Sequence, residues 1–192
     1  MGKRSSFERR PHDYYSTPVE AVDPLVNFFD NGPLDKVIDT FVEPCAGNGA
    51  LVKHLRNAGL HCVHQSDIDP QGPRIAARDA LTMSRGDFPE ADAIITNPPW
   101  SRRLLHPLIE RLSDVMPTWL LMDADWVHTQ QAFPYLPRLR TIVSVGRVRW
   151  IPGSKMKGKD NCAWHEFVNP TDHPFQATAF FARYPSIHFL AE

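Results

Sequence analysis

The stretch Glu43-Pro44-Cys45-Ala46-Gly47-Asn48-Gly49-Ala50-Leu51 decides how this chain is read, because it is a turn of small residues between a β-rich run and a helical one. Val37 to Val42, before it, is apolar and β-rich. After it, Ala50 to Ala58 sets Leu51 and Leu55 on one helical face, and Gly59 stands where a helix would end at C′. A strand, a small-residue turn and a helix together bring a ligand close to backbone amides at a helix N-terminus. Many α/β folds use that unit, so the turn marks a ligand position without naming the ligand. Glu43 at the strand end disfavours a phosphate and favours a cationic or hydroxylated group.

Upstream, Thr17-Pro18-Val19-Glu20 reads as a capping box, with threonine at the N-cap, proline at the first helical position and glutamate reaching back. Val22, Leu25, Val26 and Phe29 then form one apolar stripe that ends at Asp30-Asn31-Gly32-Pro33. Downstream, strands are expected at Cys62 to Gln65, Ala91 to Thr96 and Trp119 to Met122. Helices are expected at Gly72 to Arg78, Leu104 to Leu112 and Thr129 to Leu136. Thr141 to Ile151 and Ala163 to Val168 read as an antiparallel hairpin, and Ala177 to Tyr184 as one more strand. Strands alternating with helices imply a Rossmann-like α/β fold, a mostly parallel sheet flanked by helices that the C-terminal hairpin makes mixed.

With 192 residues the chain fits a single domain, and its 21 basic and 22 acidic residues nearly cancel, so overall charge selects no partner. Three distant cysteines, Cys45, Cys62 and Cys162, argue against a disulfide framework and for a reducing compartment. Without an apolar leader or a run long enough to span a bilayer, a cytoplasmic protein that needs no membrane is expected. Residues 1–12 read as a flexible basic segment and 13–192 as the functional domain. No metal is expected: the spacing of His61 and His64 on a strand turns their rings to opposite faces.

Ser66-Asp67-Ile68-Asp69-Pro70 places a carboxylate at the end of the second strand, where a ribose diol is gripped in related architectures. Asp79-Ala80 stands at the next strand-end loop, where a carboxylate can accept from an adenine amine. Alone, Thr17-Pro18 is more often only a helix cap and Asp67-Ile68-Asp69-Pro70 only a turn. Their order resembles class I S-adenosylmethionine-dependent methyltransferases of the amino-methylating DNA group, and Asp13-x-Tyr15-x-Thr17-Pro18 is similar to the motif that closes over the methionine end there. The resemblance implies S-adenosylmethionine as cofactor. Tyr15, Thr17, Glu43, Ala46, Gly47 and Gly49 would then line its methionine end. Asp67 would hold the ribose, and Asp79, Ile68 and Ala80 would meet the adenine.

Asn97-Pro98-Pro99-Trp100 follows an expected strand and so belongs at the carboxyl edge of the sheet. An amine conjugated to an aromatic ring is a weak nucleophile that improves when two acceptors hold its N–H groups and draw the lone pair out of conjugation. The Asn97 side-chain oxygen and the Pro98 carbonyl can be those acceptors. The prolines Pro98 and Pro99 stiffen the backbone, and Trp100 offers a flat face to an extruded base. Pro44-Cys45 is similar to the nucleophile dipeptide of carbon-5 cytosine methyltransferases, but it sits on the first strand's turn, so Cys45 is not a catalytic candidate.

From Arg138 to Lys159 there are seven basic residues and no acidic one. Lys155, Lys157 and Lys159, with Arg102 and Arg103 beside the catalytic motif, could track a phosphate backbone; a solvated charged hairpin explains the charges equally well. The motif order and Trp150-Ile151-Pro152-Gly153-Ser154-Lys155 resemble small phage and prophage adenine-N6 DNA methyltransferases. That likeness implies DNA as partner in preference to RNA. Too few residues follow Val168 for a separate target-recognition domain, so selectivity falls to loops of the catalytic domain, to a protein partner or to self-association. The same chemistry on an RNA base amine or a protein glutamine amide, and a catalytically silent cofactor-binding module, are the competing expectations.

Overall fold

The computed structural model describes residues 15–33, 37–151 and 153–172 and the backbone of 178–180; the segment expected to be flexible, and Asp13, lie outside them. In chain order the strands are β1 (Thr40–Glu43), β2 (His61–Asp67), β3 (Ala76–Ala77), β4 (Ala93–Thr96), β5 (Thr118–Asp123), β6 (Leu139–Gly146), β7 (Cys162–Phe167) and β8 (Thr178–Phe180). The α-helices are α1 (Val19–Asn31), α2 (Ala50–Asn57) and α3 (Arg102–Val115). All eight strands join one sheet in the order β3-β2-β1-β4-β5-β7-β6-β8. The five strands from β3 across to β5 pair in parallel, and β7 runs antiparallel between β5 and β6. The expected mixed α/β sheet with a C-terminal hairpin is therefore present. The chain turns back between β1 and β4, and this reversal opens a crevice beyond the carboxyl ends of the strands.

Alternation along the central strands loads both faces. Phe41, Ala93, Ile95, Trp119 and Leu121 pack under α1 and α2. Val42, Ile94, Leu120 and Met122 pack against the α3 side. Each fully buried large aliphatic chain contributes about 1.5–3 kcal/mol, and β4 is buried at every position, apolar from Ala93 to Ile95 and closed by Thr96. The Trp164 indole N–H donates to the Ala21 carbonyl at 2.7 Å and pins β7 to α1.

Helix α2 ends as its sequence requires. Gly59 takes φ 101°, its amide donates to the Arg56 carbonyl, and the Leu60 amide reaches the Leu55 carbonyl, both at 3.1 Å. That pairing is a Schellman close, for which glycine is the unstrained residue.

Two local expectations are corrected. No helix forms over Gly72 to Arg78; Pro73 withholds an amide, Arg74 takes φ 63°, and its carbonyl accepts from the Gln65 side chain at 2.9 Å. The chain then adds β3 beside the end of β2. The capping box is also absent. Pro18 is the N-cap of α1 with no side-chain cap bond. Glu20 instead accepts from the Arg149 amide and faces the Arg149 guanidinium at 3.7 Å.

His165 on β7 is completely buried, with Nδ1 near the Ala163 carbonyl at 3.2 Å and Nε2 without a hydrogen-bond partner. Burial pulls its pKa down to about 4. A depressed folded-state value means the unfolded chain takes up the proton first. Stability is thus lost as pH falls from the ordinary histidine range toward 4, by on the order of 3 kcal/mol for a shift of this size. Thermal melts of the wild type and His165→Gln should show a steeper loss below pH 6.5 in the wild type.

Candidate active site

Three strand ends meet at one cavity of about 600 Å³: Glu43 closes β1, Asp67 closes β2, and Asn97 directly follows β4. Because the crevice lies at the topological switch, residues distant in sequence arrive there from short loops.

The floor is the turn after β1. Gly47 adopts φ 53° and Gly49 φ 79°, conformations that side chains rarely allow. The Gly47 amide donates to Asp67 Oδ2 at 2.7 Å and the Ala46 amide to the Ser66 carbonyl at 2.9 Å. Asp67 Oδ1 accepts from the Asp69 amide at 2.8 Å. Asp67 therefore holds the turn in place, and each of its oxygens retains acceptor capacity for a ligand hydroxyl. Gly49 does not line the cavity; its role is the left-handed N-cap of α2.

Asp79 Oδ1 accepts from the Leu81 amide at 2.9 Å and starts a short 3-10 turn. Ile68, 65% exposed, and Leu81, 39% exposed, both line the cavity, an arrangement suited to a flat ring. Leu81 was missed in the sequence; its position two residues after Asp79 was the available signal.

Glu43 is the most informative group. It is 1% exposed, its Oε1 accepts from the Thr96 hydroxyl at 2.6 Å, and its Oε2 has no partner in hydrogen-bonding geometry. Burial drives its carboxyl well above the usual range; the Thr96 hydroxyl and the nearby Asn97 amide offset this only in part. A buried carboxyl with one orphaned oxygen, in a residue that lines the cavity, fits a cationic ligand. Asp67, Asp69 and Asp79 also line this cavity, with Arg103 as a basic residue at its wall. A polyphosphate would be repelled there; a sulfonium with an ammonium and a ribose diol fits the donor set. Cys45 lines the cavity too, and burial, then the Glu43 charge, push its thiol pKa far up.

Asn97 and Pro99 line the same cavity; Pro98 is buried and is not part of the lining. The Asn97 amide nitrogen donates to Thr17 Oγ1 at 3.1 Å and, in a longer contact, to the Tyr15 carbonyl at 3.4 Å. Its Oδ1 accepts from the Trp100 indole at 3.3 Å, an N–H that also reaches the Leu121 carbonyl at 3.0 Å. No main-chain amide among the described residues donates to the Pro98 carbonyl. Trp100 is not part of the cavity lining. Its ring stands edge-on to Trp150 at 5.6 Å, and Trp150 in turn lies 6.3 Å from the Tyr15 ring. Trp126 and Trp164 are buried in the core, so Trp150 is the other tryptophan at this edge.

The basic residues divide. Arg138 is held by Asp114 at 2.6 Å and Ser113 at 2.9 Å, and Arg149 faces Glu20. These two are bound to structural partners. Arg102 donates to Gln131 at 2.8 Å at the start of α3. Lys155, Lys157 and Lys159 are exposed on a loop whose Gly158 packs so closely on Trp150 that an added Cβ would meet the indole at 3.0 Å. No helix among the described residues is long and apolar enough to cross a membrane.

No protein-family model and no curated protein sequence matches the chain. Solved structures do, and what they share with this chain is its fold, a mostly parallel α/β sheet flanked by helices. A candidate RNA methyltransferase from Pyrococcus horikoshii aligns with TM-score 0.57 and 14% identity over 82% of this chain and 87% of that one. The modification subunit of a candidate type I restriction enzyme from Vibrio vulnificus aligns with TM-score 0.52 and 16% identity, over 82% of this chain and 45% of that one. A candidate class I S-adenosylmethionine-dependent methyltransferase from Listeria monocytogenes gives TM-score 0.51 and 10% identity over 90% of this chain and 67% of that one.

Proposed function

We propose that this protein transfers a methyl group from S-adenosylmethionine to the exocyclic N6 amine of adenine in DNA. The observation that carries the reading is one cavity with a cation-receptive carboxyl, Glu43, at its floor and the Asn97 acceptor at its wall. When bound, S-adenosylmethionine supplies an electrophilic methyl group on a sulfonium. Glu43 and the Gly47 turn would hold its methionine end, Asp67 its ribose, and Asp79 with Ile68 and Leu81 its adenine. Asn97 Oδ1 and the Pro98 carbonyl then hold the two N–H groups of the target amine and free its lone pair for attack. Fixing that amine toward the donor supplies much of the rate, and no covalent enzyme intermediate is needed.

DNA is favoured by the sequence likeness to small adenine methyltransferases and by the exposed Lys155, Lys157 and Lys159 beside Trp150. The restriction-enzyme modification subunit among the similar structures points the same way. The candidate RNA methyltransferase keeps an RNA base amine as the second reading. Incubation with methyl-labelled cofactor and separate DNA, RNA and protein pools, followed by digestion to nucleosides, should give N6-methyldeoxyadenosine. Label confined to RNA or protein, or no transfer at all, overturns the assignment.

A further inference from the structure

We propose that the segment Tyr15 to Thr17 and the Trp100 indole together lock the Asn97 amide in one orientation, and that this lock commits the site to an exocyclic amine over a carbonyl. The inference rests on the reading above, in which Asn97 faces the target base.

Two of the three hydrogen-bonding neighbours of the Asn97 side chain are chemically one-sided. The Tyr15 main-chain carbonyl, 3.4 Å from Asn97 Nδ2, can only accept. The Trp100 indole nitrogen, 3.3 Å from Asn97 Oδ1, can only donate. Turning the amide over would set oxygen against oxygen and N–H against N–H, so the orientation follows from chemistry. The Thr17 hydroxyl, 3.1 Å from Nδ2, takes the second amide hydrogen.

Both amide hydrogens are thus occupied, while Oδ1 shares one indole hydrogen with Leu121 and retains a lone pair. Asn97 then presents an acceptor and no free amide donor at the cavity wall. An amine satisfies that oxygen; a carbonyl placed against it would leave it unpaired.

The lock is braced from outside. Ser16 Oγ lies 3.4 Å from Asn48 Nδ2, which ties the same segment to the glycine turn. Trp150 stands edge-on to Trp100 and close to Tyr15. Thr17 and Trp100 are on this account positioning residues acting through Asn97.

The test uses the full chain with Thr17→Val, Thr17→Ser and Trp100→Phe. In ¹⁵N spectra, with Asn97→Asp to assign its side-chain amide pair, hydrogen exchange of that pair should be slow in the wild type and Thr17→Ser. It should be at least tenfold faster in Thr17→Val and Trp100→Phe. Methyl transfer by Thr17→Val should fall at least tenfold in kcat, with KM for DNA and Kd for S-adenosylhomocysteine within twofold, and Thr17→Ser should recover it. The lock is overturned by equal exchange in wild type and Thr17→Val, by unchanged kcat, or by a loss residing wholly in Kd, which would make Thr17 a cofactor ligand only. If the wild type transfers no methyl group to any pool, the proposed function fails while the exchange measurement still decides the lock.

Discussion

Asn97→Ala is expected to lower methyl transfer by roughly 10²–10³-fold, the usual loss when one preorganised polar partner of a developing charge is removed, while S-adenosylhomocysteine still binds. Asn97 directly follows β4, and its side-chain hydrogen bonds run to Tyr15, Thr17 and Trp100 and not to the Gly47 turn or Asp67. Removing the side chain takes an acceptor from the target amine and leaves the glycine turn intact. Single-turnover rates measured beside calorimetric titration with S-adenosylhomocysteine separate the two effects. Turnover surviving within tenfold of the wild type refutes the role given to Asn97; a parallel collapse of binding makes it part of the cofactor floor.

The second large effect is expected at Glu43 and has opposite signs for stability and binding. In the ligand-free fold, burial raises the pKa of this carboxyl well above the ordinary range. The unfolded chain ionises it near the ordinary carboxylate pKa, so as pH rises from there the unfolded state gains and the fold loses. Glu43→Gln removes that penalty and keeps an acceptor for Thr96. Its melting temperature at neutral pH should rise by about 2–4 °C for each 1 kcal/mol recovered.

Binding a cation, by contrast, draws Glu43 into its charged form, and a hydrogen bond to a charged group is worth about 1.5–3 kcal/mol. The Glu43→Gln variant should therefore bind S-adenosylmethionine roughly 10–100-fold more weakly. Wild-type binding should also release a proton, visible as heats that depend on the ionisation enthalpy of the buffer, and the same substitution should abolish that dependence. A wild type with no proton release, or a variant that binds normally, removes Glu43 from the site.

The strand-turn-helix unit at Val37 to Ala58 and the run before Asn97 were legible because periodicity and small-residue turns act locally. Gly59 was legible for the same reason. The sequence could not tell that Thr17 caps no helix, since its hydroxyl is claimed by Asn97, 80 residues away. Glu20 is likewise drawn off by Arg149, 129 residues away. Nor could it divide the basic run, because which arginine meets Asp114 or Glu20 depends on packing between β6 and the helices. Trp150 stood out in the sequence only as the start of the Trp150 to Lys155 motif; its place beside Trp100 is a matter of packing.

A compartment that holds an alkylating agent is hazardous to any thiol in its wall, and Cys45 is such a thiol. Its sulfur stays uncharged because burial and the neighbouring Glu43 oppose the thiolate, which is the reactive form. On the proposed function, the wall thiol is thereby held in the form that the bound donor would not alkylate.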